Sequence, residues 1–243
     1  MRQLPARPIG DALAGQVELG SLSIHHAIII TRSRSDLRRF TGPLRYTLAM
    51  QLDIALKEWA IVCDFLAQGK CALLLRKGGI HEAGGPGRFA LDHDRFLMFP
   101  AWEHERLDWI KPSWLPPEVE LEVDEPERAE PSQIAFKCYA EAAKIWEVPS
   151  RVAFDRLDDL HPWDTPQIDM RFGYKPDRPL YLLALRAYRM LDEVVVPNRD
   201  SFAGCVSWVP LEEDAVEVGG AEPAMSDAEF DSLVKRVDEA FVK

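Results

Sequence analysis

The stretch "LDIALKEWAIVCDFLAQGKCALLLRK", residues 52–77, determines how the fold begins. Apolar side chains recur in it at helical spacing, at Leu52, Leu56, Trp59, Cys63 and Leu66. This spacing predicts an amphipathic helix that ends near Gly69, because glycine is favoured just after the last helical residue. The apolar run Cys71–Leu75 then predicts a short buried strand that leads into a glycine-rich loop.

Outward from this stretch, strand patterns alternate with helix patterns. We predict further strands at Arg95–Pro100, at 134–148, at 178–191 and at Ser207–Leu211. Residues 134–148 alternate with period two, although their alanines would also suit a helix, and we predict a strand. Helices are predicted from Ser150 through Leu160, from Thr165 through Phe172, and after the capping-box pair Ser226 and Glu229.

These elements define a fold class and a domain boundary. Short strands separated by helices and loops predict an α+β domain over residues 50–243, with a mixed or mostly antiparallel sheet, flanking helices and a C-terminal helix. Residues 1–49 contain arginine but no lysine and lack sustained periodicity. We interpret them as a poorly ordered basic extension or a mis-assigned start with Met50 as the true one. Mass spectrometry of the native N-terminus distinguishes the two.

Charge and composition limit the classes of function. The net charge is −11, of which residues 1–49 carry +4 and the remainder carries −15. A body this acidic repels a polyanion in general, so nucleic-acid contact requires a local basic patch. The four cysteines lie far apart (Cys63, Cys71, Cys138 and Cys205), which predicts reduced, mostly buried thiols. No apolar run is long enough for a membrane span, so we expect a soluble cytoplasmic protein without a membrane partner.

The glycine-rich loop, Leu73–Phe89, matches no nucleotide-binding motif. Its glycines are not followed by Lys and a hydroxyl residue, as a P-loop requires, and no helix follows Gly87 as a dinucleotide site requires. The Nudix box of glutamates is also missing from residues 88–105. We therefore interpret the loop as a conformational joint, with Arg76 and Lys77 at the preceding strand end as a candidate basic rim.

A second basic segment is "MRFGYKPDRP", residues 170–179, in which cations alternate with aromatic residues. Basic and aromatic side chains together are typical of surfaces that bind phosphates and stack bases. The predicted phosphate-binding residues are therefore Arg76, Lys77, Arg171 and Lys175. The predicted stacking residues are Trp59, Trp102 and Tyr174.

Histidines beside carboxylates suggest a rival function from a different class. His81, Glu82, Glu103 and His104 would serve a small metal-assisted hydrolase or nuclease as catalytic candidates. Their spacing matches no established metal or nucleophile motif, so we predict no metal site and no cofactor. A third alternative is an interaction subunit without a ligand of its own, which would expose a large apolar patch.

Four strings together resemble a known bacterial family. They are "ALKEWAIVCDFLAQGKCALLLRKGGIHE", "FLMFPAWEHE", "LHPWDTPQIDMRFGYKPDRPLYLLALRAYRM" and "FAGCVSWVPL". They are similar to the domain of unknown function 1802 family over about residues 54–230, and the chain departs from that pattern at Ala101 and Glu105. The resemblance implies no established chemistry. It does imply a link to restriction-modification, with an Mrr-like endonuclease module as a partner.

A second resemblance bears on the ligand. A helix carrying Trp, then Gly69, then a strand with Arg76 seven residues later resembles the opening of PUA-like ASCH modules. Lys70 stands one place early in that pattern, and Leu74 occupies its glutamate position. The resemblance implies a PUA-like β-barrel that holds nucleic acid or a nucleobase in a basic cleft. Our prediction is a nucleic-acid or nucleotide-binding module linked to restriction-modification or defence.

Overall fold

The computed structural model describes residues 50–77, 93–119, 129–204 and 206–242. Predictions about residues 1–49, the glycine-rich loop after Lys77, His81, Glu82 and Cys205 lie outside these residues. The described chain forms nine strands: β1 (Gln51–Leu52), β2 (Ile54–Trp59), β3 (Leu73–Lys77), β4 (Arg95–Ala101), β5 (Gln133–Glu147), β6 (Leu180–Pro197), β7 (Trp208–Pro210), β8 (Val216–Glu217) and β9 (Glu222–Pro223). Its α-helices are α1 (Ala60–Ala67), α2 (Arg151–Phe154), α3 (Thr165–Gly173) and α4 (Asp227–Phe241).

The main sheet is mixed, as predicted. Its strands follow the order β3-β6-β5-β4-β2-β7, and β9 pairs with β6. Strands β2 and β4 are parallel, whereas the other neighbours in this sheet are antiparallel. Strands β1 and β8 form a separate antiparallel pair. With helices between and after the strands, the molecule belongs to the predicted α+β class.

The first predicted helix was wrong in its N-terminal half. Residues 54–59 form strand β2, which pairs with β4 from Ala55 opposite Leu97 to Trp59 opposite Ala101. The apolar spacing at Leu52, Leu56 and Trp59 fits a helix by chance. Pairing on both sides of β2 supplies hydrogen bonds that the local pattern does not reveal, so the tertiary context overrides the local preference. Helix α1 begins only at Ala60.

Helix α1 ends where glycine was predicted to end it. Gly69 has φ +70°, and a Cβ built on it would lie 2.0 Å from the carbonyl oxygen of Ala224. The amide of Gly69 donates to Leu66 O, and the amide of Lys70 donates to Phe65 O. Both the backbone conformation and the close approach of the chain at residue 224 therefore require glycine here.

The longer elements were predicted well. Strand β5 covers the segment for which a helix was the alternative, and it pairs with β6 from Gln133 opposite Pro197 to Glu147 opposite Tyr181. Ser226 and Glu229 form the predicted capping box at the start of α4. Short 3-10 helices, at Leu107–Trp109, Asp155–Leu160, Asp200–Phe202 and Glu212–Asp214, complete the described chain.

The apolar core lies on both faces of the sheet. Alternate residues of β3 illustrate this, because Leu73 and Leu75 pack with α3 and α4 whereas Leu74 packs with α1. Cys63, Cys71 and Cys138 are free and buried, as predicted for these three thiols. In the described residues, no helix has the length and apolar character needed to cross a membrane.

Candidate nucleic-acid interface

Arg76 joins two strands that are not neighbours in the sheet. Its Nη2 donates to the backbone oxygen of Lys57 at 2.5 Å and lies 3.2 Å from Glu58 Oε2. Strand β3 is one end of the sheet, and β2 lies four places along it. The sheet therefore curls until β3 approaches β2, and a side chain links the two strands. We call this contact between β3 and β2 the seam.

Glu58 is the buried carboxylate of the seam. Its residue exposure is 8%, and its Oε1 accepts a hydrogen bond from the amide of Trp59 at 2.9 Å. Trp59 is the residue that precedes α1, so the carboxylate lies at the positive end of that helix. Glu105 also accepts from this helix start, through Oε1 to the amide of Ile61 at 2.8 Å. These contacts hold Glu58 in a fixed position opposite Arg76.

Arg171 shares the field of Glu58 with Arg76. Burial lowers the pKa of Arg171, the charge of Glu58 raises it, and the charge of Arg76 lowers it. The Nε atoms of Arg171 and Arg76 are shielded from solvent, and neither has a hydrogen-bond partner in the part of the chain that the structure describes. Among the described residues, no carboxylate lies within ion-pair distance of Arg171. The Glu58 carboxylate therefore pairs with one guanidinium group, that of Arg76, and acts on a second, that of Arg171, through its charge alone.

Lys77 attaches the end of β3 to the end of α3. Its Nζ donates to the backbone oxygens of Arg171 at 3.1 Å and Phe172 at 3.3 Å. A cation at the C-terminal end of a helix is favourable, because the last carbonyls of a helix carry partial negative charge. Burial lowers the pKa of Lys77. This contact fixes the end of β3 against the last turn of α3.

The turn after α3 adds two further cations. Lys175 has φ +44°, and its Nζ lies 4.8 Å from the ring centroid of Tyr174, which is 51% exposed. The backbone amide of Arg178 donates to Lys175 O at 2.9 Å. The Nη1 atom of the Arg178 side chain is shielded from solvent and has no partner among the described residues. We refer to Arg76, Lys77, Arg171, Lys175 and Arg178 as the cation cluster.

Of the residues predicted to bind phosphate, Arg76 and Lys77 lie at the end of β3, and Lys77 contacts the last turn of α3, which carries Arg171. Lys175 lies in the turn that follows α3. Of the predicted stacking residues, Tyr174 lies in the cation cluster and Trp59 lies at the seam, half-buried between two parts of the core. Trp102 lies elsewhere and lines a cavity of about 90 Å³ with Cys63 and Cys138. Sequence reasoning missed Glu58. The order Leu56, Lys57, Glu58, Trp59 shows no alternation of apolar and polar residues, so no local pattern indicated that Glu58 would face inward from a strand.

Glu103 and His104, from the rival prediction, lie on the turn after β4. His104 Nε2 is 3.7 Å from Glu103 Oε1, and both residues line a cavity of about 550 Å³ with Glu130, Ser132, Asn198 and Asp200. Lys57 borders the same cavity and donates through Nζ to Phe202 O and Gly204 O. Within the described residues, no three His, Cys, Asp or Glu side chains are grouped as metal ligands.

The chain is similar to solved structures of an ASCH protein from Zymomonas mobilis. A point mutant of that protein shows 12% identity with a TM-score of 0.37, covering 66% of this chain and 91% of its own. The structure titled as ASCH from the same organism shows 10% identity with a TM-score of 0.33, covering 60% of this chain and 87% of its own. Scores of this size support no transfer of residue roles.

No curated protein sequence matches the chain. A family model does match, over residues 55–236, and its description is "Domain of unknown function (DUF1802)". The match extends from the second residue of β2 into α4, so it includes the seam and the cation cluster. The chain belongs to the domain of unknown function family DUF1802.

Proposed function

We propose that this protein binds the phosphates of a nucleic acid or nucleotide at the cation cluster. The observation that supports the proposal is that three guanidinium nitrogens of the cation cluster are shielded from solvent and have no partner among the described residues: Arg76 Nε, Arg171 Nε and Arg178 Nη1. A buried N–H donor without an acceptor costs about 1–3 kcal/mol, and more when it is charged. An anionic ligand with several acceptor oxygens would satisfy these donors together.

The excess of positive charge in the cation cluster also favours an anionic ligand. Five cations form the cluster, and among the described residues the buried carboxylate of Glu58 pairs with Arg76 and acts electrostatically on Arg171. Uncompensated charge is unfavourable away from water, and a bound anion compensates it. Phosphate suits this arrangement because guanidinium groups bind phosphate oxygens in pairs.

The acidic remainder of the molecule restricts the binding mode. Residues 50–243 carry −15, so a polyanion is repelled everywhere except at a focused positive site. Binding at the cation cluster would therefore be local, and its affinity would fall steeply as salt rises. Non-specific coating of long DNA is not expected.

A binding titration tests the proposal. Fluorescence anisotropy would follow labelled single-stranded, duplex and base-modified oligonucleotides at low and moderate salt. Arg171→Ala removes one cluster cation but leaves Glu58 paired with Arg76. Arg236→Ala is the matched control, because it removes an exposed arginine of α4 that binds Asp159. We expect salt-sensitive binding that Arg171→Ala weakens and Arg236→Ala preserves. Equal loss in both variants, or no binding by wild type, contradicts the proposal.

The same titration with Mg²⁺ or Mn²⁺ tests the hydrolase alternative, because metal-dependent cleavage would make Glu103 and His104 the residues to mutate next. We keep restriction-modification as the proposed setting, with an Mrr-like endonuclease as the proposed partner. Co-purification of the two proteins from cells that express both tests that association. Separate elution at low salt would contradict it.

A further inference from the structure

Tyr174 and Lys175 form a distinct part of the cation cluster. Tyr174 is 51% exposed and follows the last residue of α3. The Lys175 ammonium lies 4.8 Å from the centroid of its ring, so a cation stands beside this exposed aromatic side chain. An exposed aromatic ring beside a cation is the arrangement on which proteins stack nucleobases.

The backbone at Lys175 is unfavourable for stability alone. Its φ of +44° places a residue with a Cβ in the left-handed region, at the position after a helix where glycine is usual. Glycine at position 175 would relieve this strain. In this conformation the Lys175 ammonium lies 4.8 Å from the Tyr174 ring, so lysine supplies a charge beside an exposed aromatic ring.

We infer that Tyr174 and Lys175 bind one unpaired base and its adjoining phosphate, so that the ligand of the cation cluster is a single-stranded nucleic acid. This inference rests on the proposed function. Bases in a duplex present their faces only to their neighbours in the stack, so a duplex offers Tyr174 nothing to stack on except at its ends. A single strand offers a base to Tyr174, one phosphate to Lys175 and further phosphates to Arg171 and Lys77.

The test compares strands that carry the same charge but differ in their bases. The probes are a short single strand, its duplex, and the same single strand with abasic positions, each made as DNA and as RNA. The variants are Tyr174→Ala, Tyr174→Phe and Lys175→Gly, with anisotropy as the readout at several salt concentrations. Thermal unfolding of each variant reports whether the fold is intact.

Tyr174→Ala is expected to weaken binding of the base-bearing single strand about tenfold. Tyr174→Phe should restore that binding, and the abasic strand should bind Tyr174→Ala and wild type alike. Lys175→Gly should weaken binding and reduce the salt slope by about one phosphate contact, while its melting temperature equals or exceeds that of wild type. The slope of Tyr174→Ala should stay unchanged.

The outcomes separate the two proposals. If no probe binds, the proposed function and this inference both fail. If single strand and duplex bind equally and Tyr174→Ala behaves as wild type, the inference fails while phosphate binding stands. The inference also fails if Tyr174→Ala weakens the abasic and base-bearing strands by the same factor, because the lost contact would then not be stacking.

Discussion

Arg76 and Glu58 form an ion pair of 3.2 Å that links strand β3 to strand β2 across the curl of the sheet. The side chains are 13% and 7% exposed, so water screens the pair weakly. Arg76 also donates to the backbone of Lys57, and Glu58 also accepts from the backbone of Trp59. The pair therefore holds the seam together, and the charges of both its members act on Arg171.

Removing Arg76 should destabilise the fold strongly. Arg76→Ala leaves the Glu58 carboxylate buried without its partner, a change that costs about 3–5 kcal/mol in the free energy of unfolding. Arg236→Ala, which breaks an exposed pair with Asp159, should cost less than about 1 kcal/mol. Urea unfolding measures both. Adding Glu58→Gln to Arg76→Ala should recover much of the loss, and a double variant no more stable than Arg76→Ala alone would contradict this explanation.

Gly69→Ala should be destabilising as well. The left-handed backbone costs about 1–2 kcal/mol for a residue with a Cβ, and the methyl group would also collide with the carbonyl of Ala224. Gly173→Ala is the matched control, because no atom lies within 4 Å of a Cβ built there. Thermal melts should show a clear fall for Gly69→Ala and little change for Gly173→Ala. Equal shifts in melting temperature for the two variants would contradict the close contact between Gly69 and the carbonyl of Ala224.

Lys77→Met should loosen the end of α3. The substitution keeps most of the apolar stem but removes the ammonium that binds the Arg171 and Phe172 carbonyls, which contributes about 1 kcal/mol. Hydrogen exchange in the last turn of α3 should accelerate. Lys235→Met, at an exposed pair with Glu239 on α4, serves as the control and should leave that exchange unchanged. If hydrogen exchange in the last turn of α3 is unchanged in Lys77→Met, the Lys77 ammonium does not stabilise the end of α3.

His161 should make the fold sensitive to acid. The ring is fully buried, stacks between Phe154 and Trp163, and has Lys111 Nζ 3.4 Å from its Nδ1. Burial, and then the charge of Lys111, lowers its pKa from 6.5 to about 3. The imidazole of His161 is therefore neutral in the folded protein. Its contribution to stability is complete above about pH 6.5 and is lost as pH falls towards about 3, with a slope of up to about 1.4 kcal/mol per pH unit.

His161→Phe isolates this effect, because a phenyl ring fits between two aromatic rings but does not titrate. The stability difference between wild type and His161→Phe should change in favour of the variant as pH falls through this range. Urea unfolding at a series of pH values measures that difference. Parallel pH profiles for the two proteins would show that His161 does not titrate on unfolding.

The sequence predicted what local patterns determine. Ser226 and Glu229 act within one helical turn, and Gly69 acts at a single backbone position, so both were identified correctly. Strand β2 was mistaken for a helix because its identity depends on pairing with β4, far along the chain. Glu58 was missed for the same reason, since a glutamate on a surface helix would face solvent and only the strand turns it inward.

The sequence named candidate cations for the site but could not give the contacts that they make. Arg76 and Lys77 were grouped with Arg171 and Lys175 because cations near glycines and aromatic rings are typical of phosphate sites. That Lys77 binds the end of α3, and that the charges of Glu58 and Arg76 act on Arg171, depends on how α3 packs against β3. No pattern within either segment carries that information.

The most direct test of the account is an NMR measurement of the arginine Nε–H signals. Spectra would be recorded with and without a short single-stranded oligonucleotide, at low salt. We predict that the signals of Arg76 and Arg171 move on binding, because phosphate oxygens would accept from donors that now have no partner, while the signal of Arg236 stays in place. Binding that leaves the Arg76 and Arg171 signals unmoved would contradict the account.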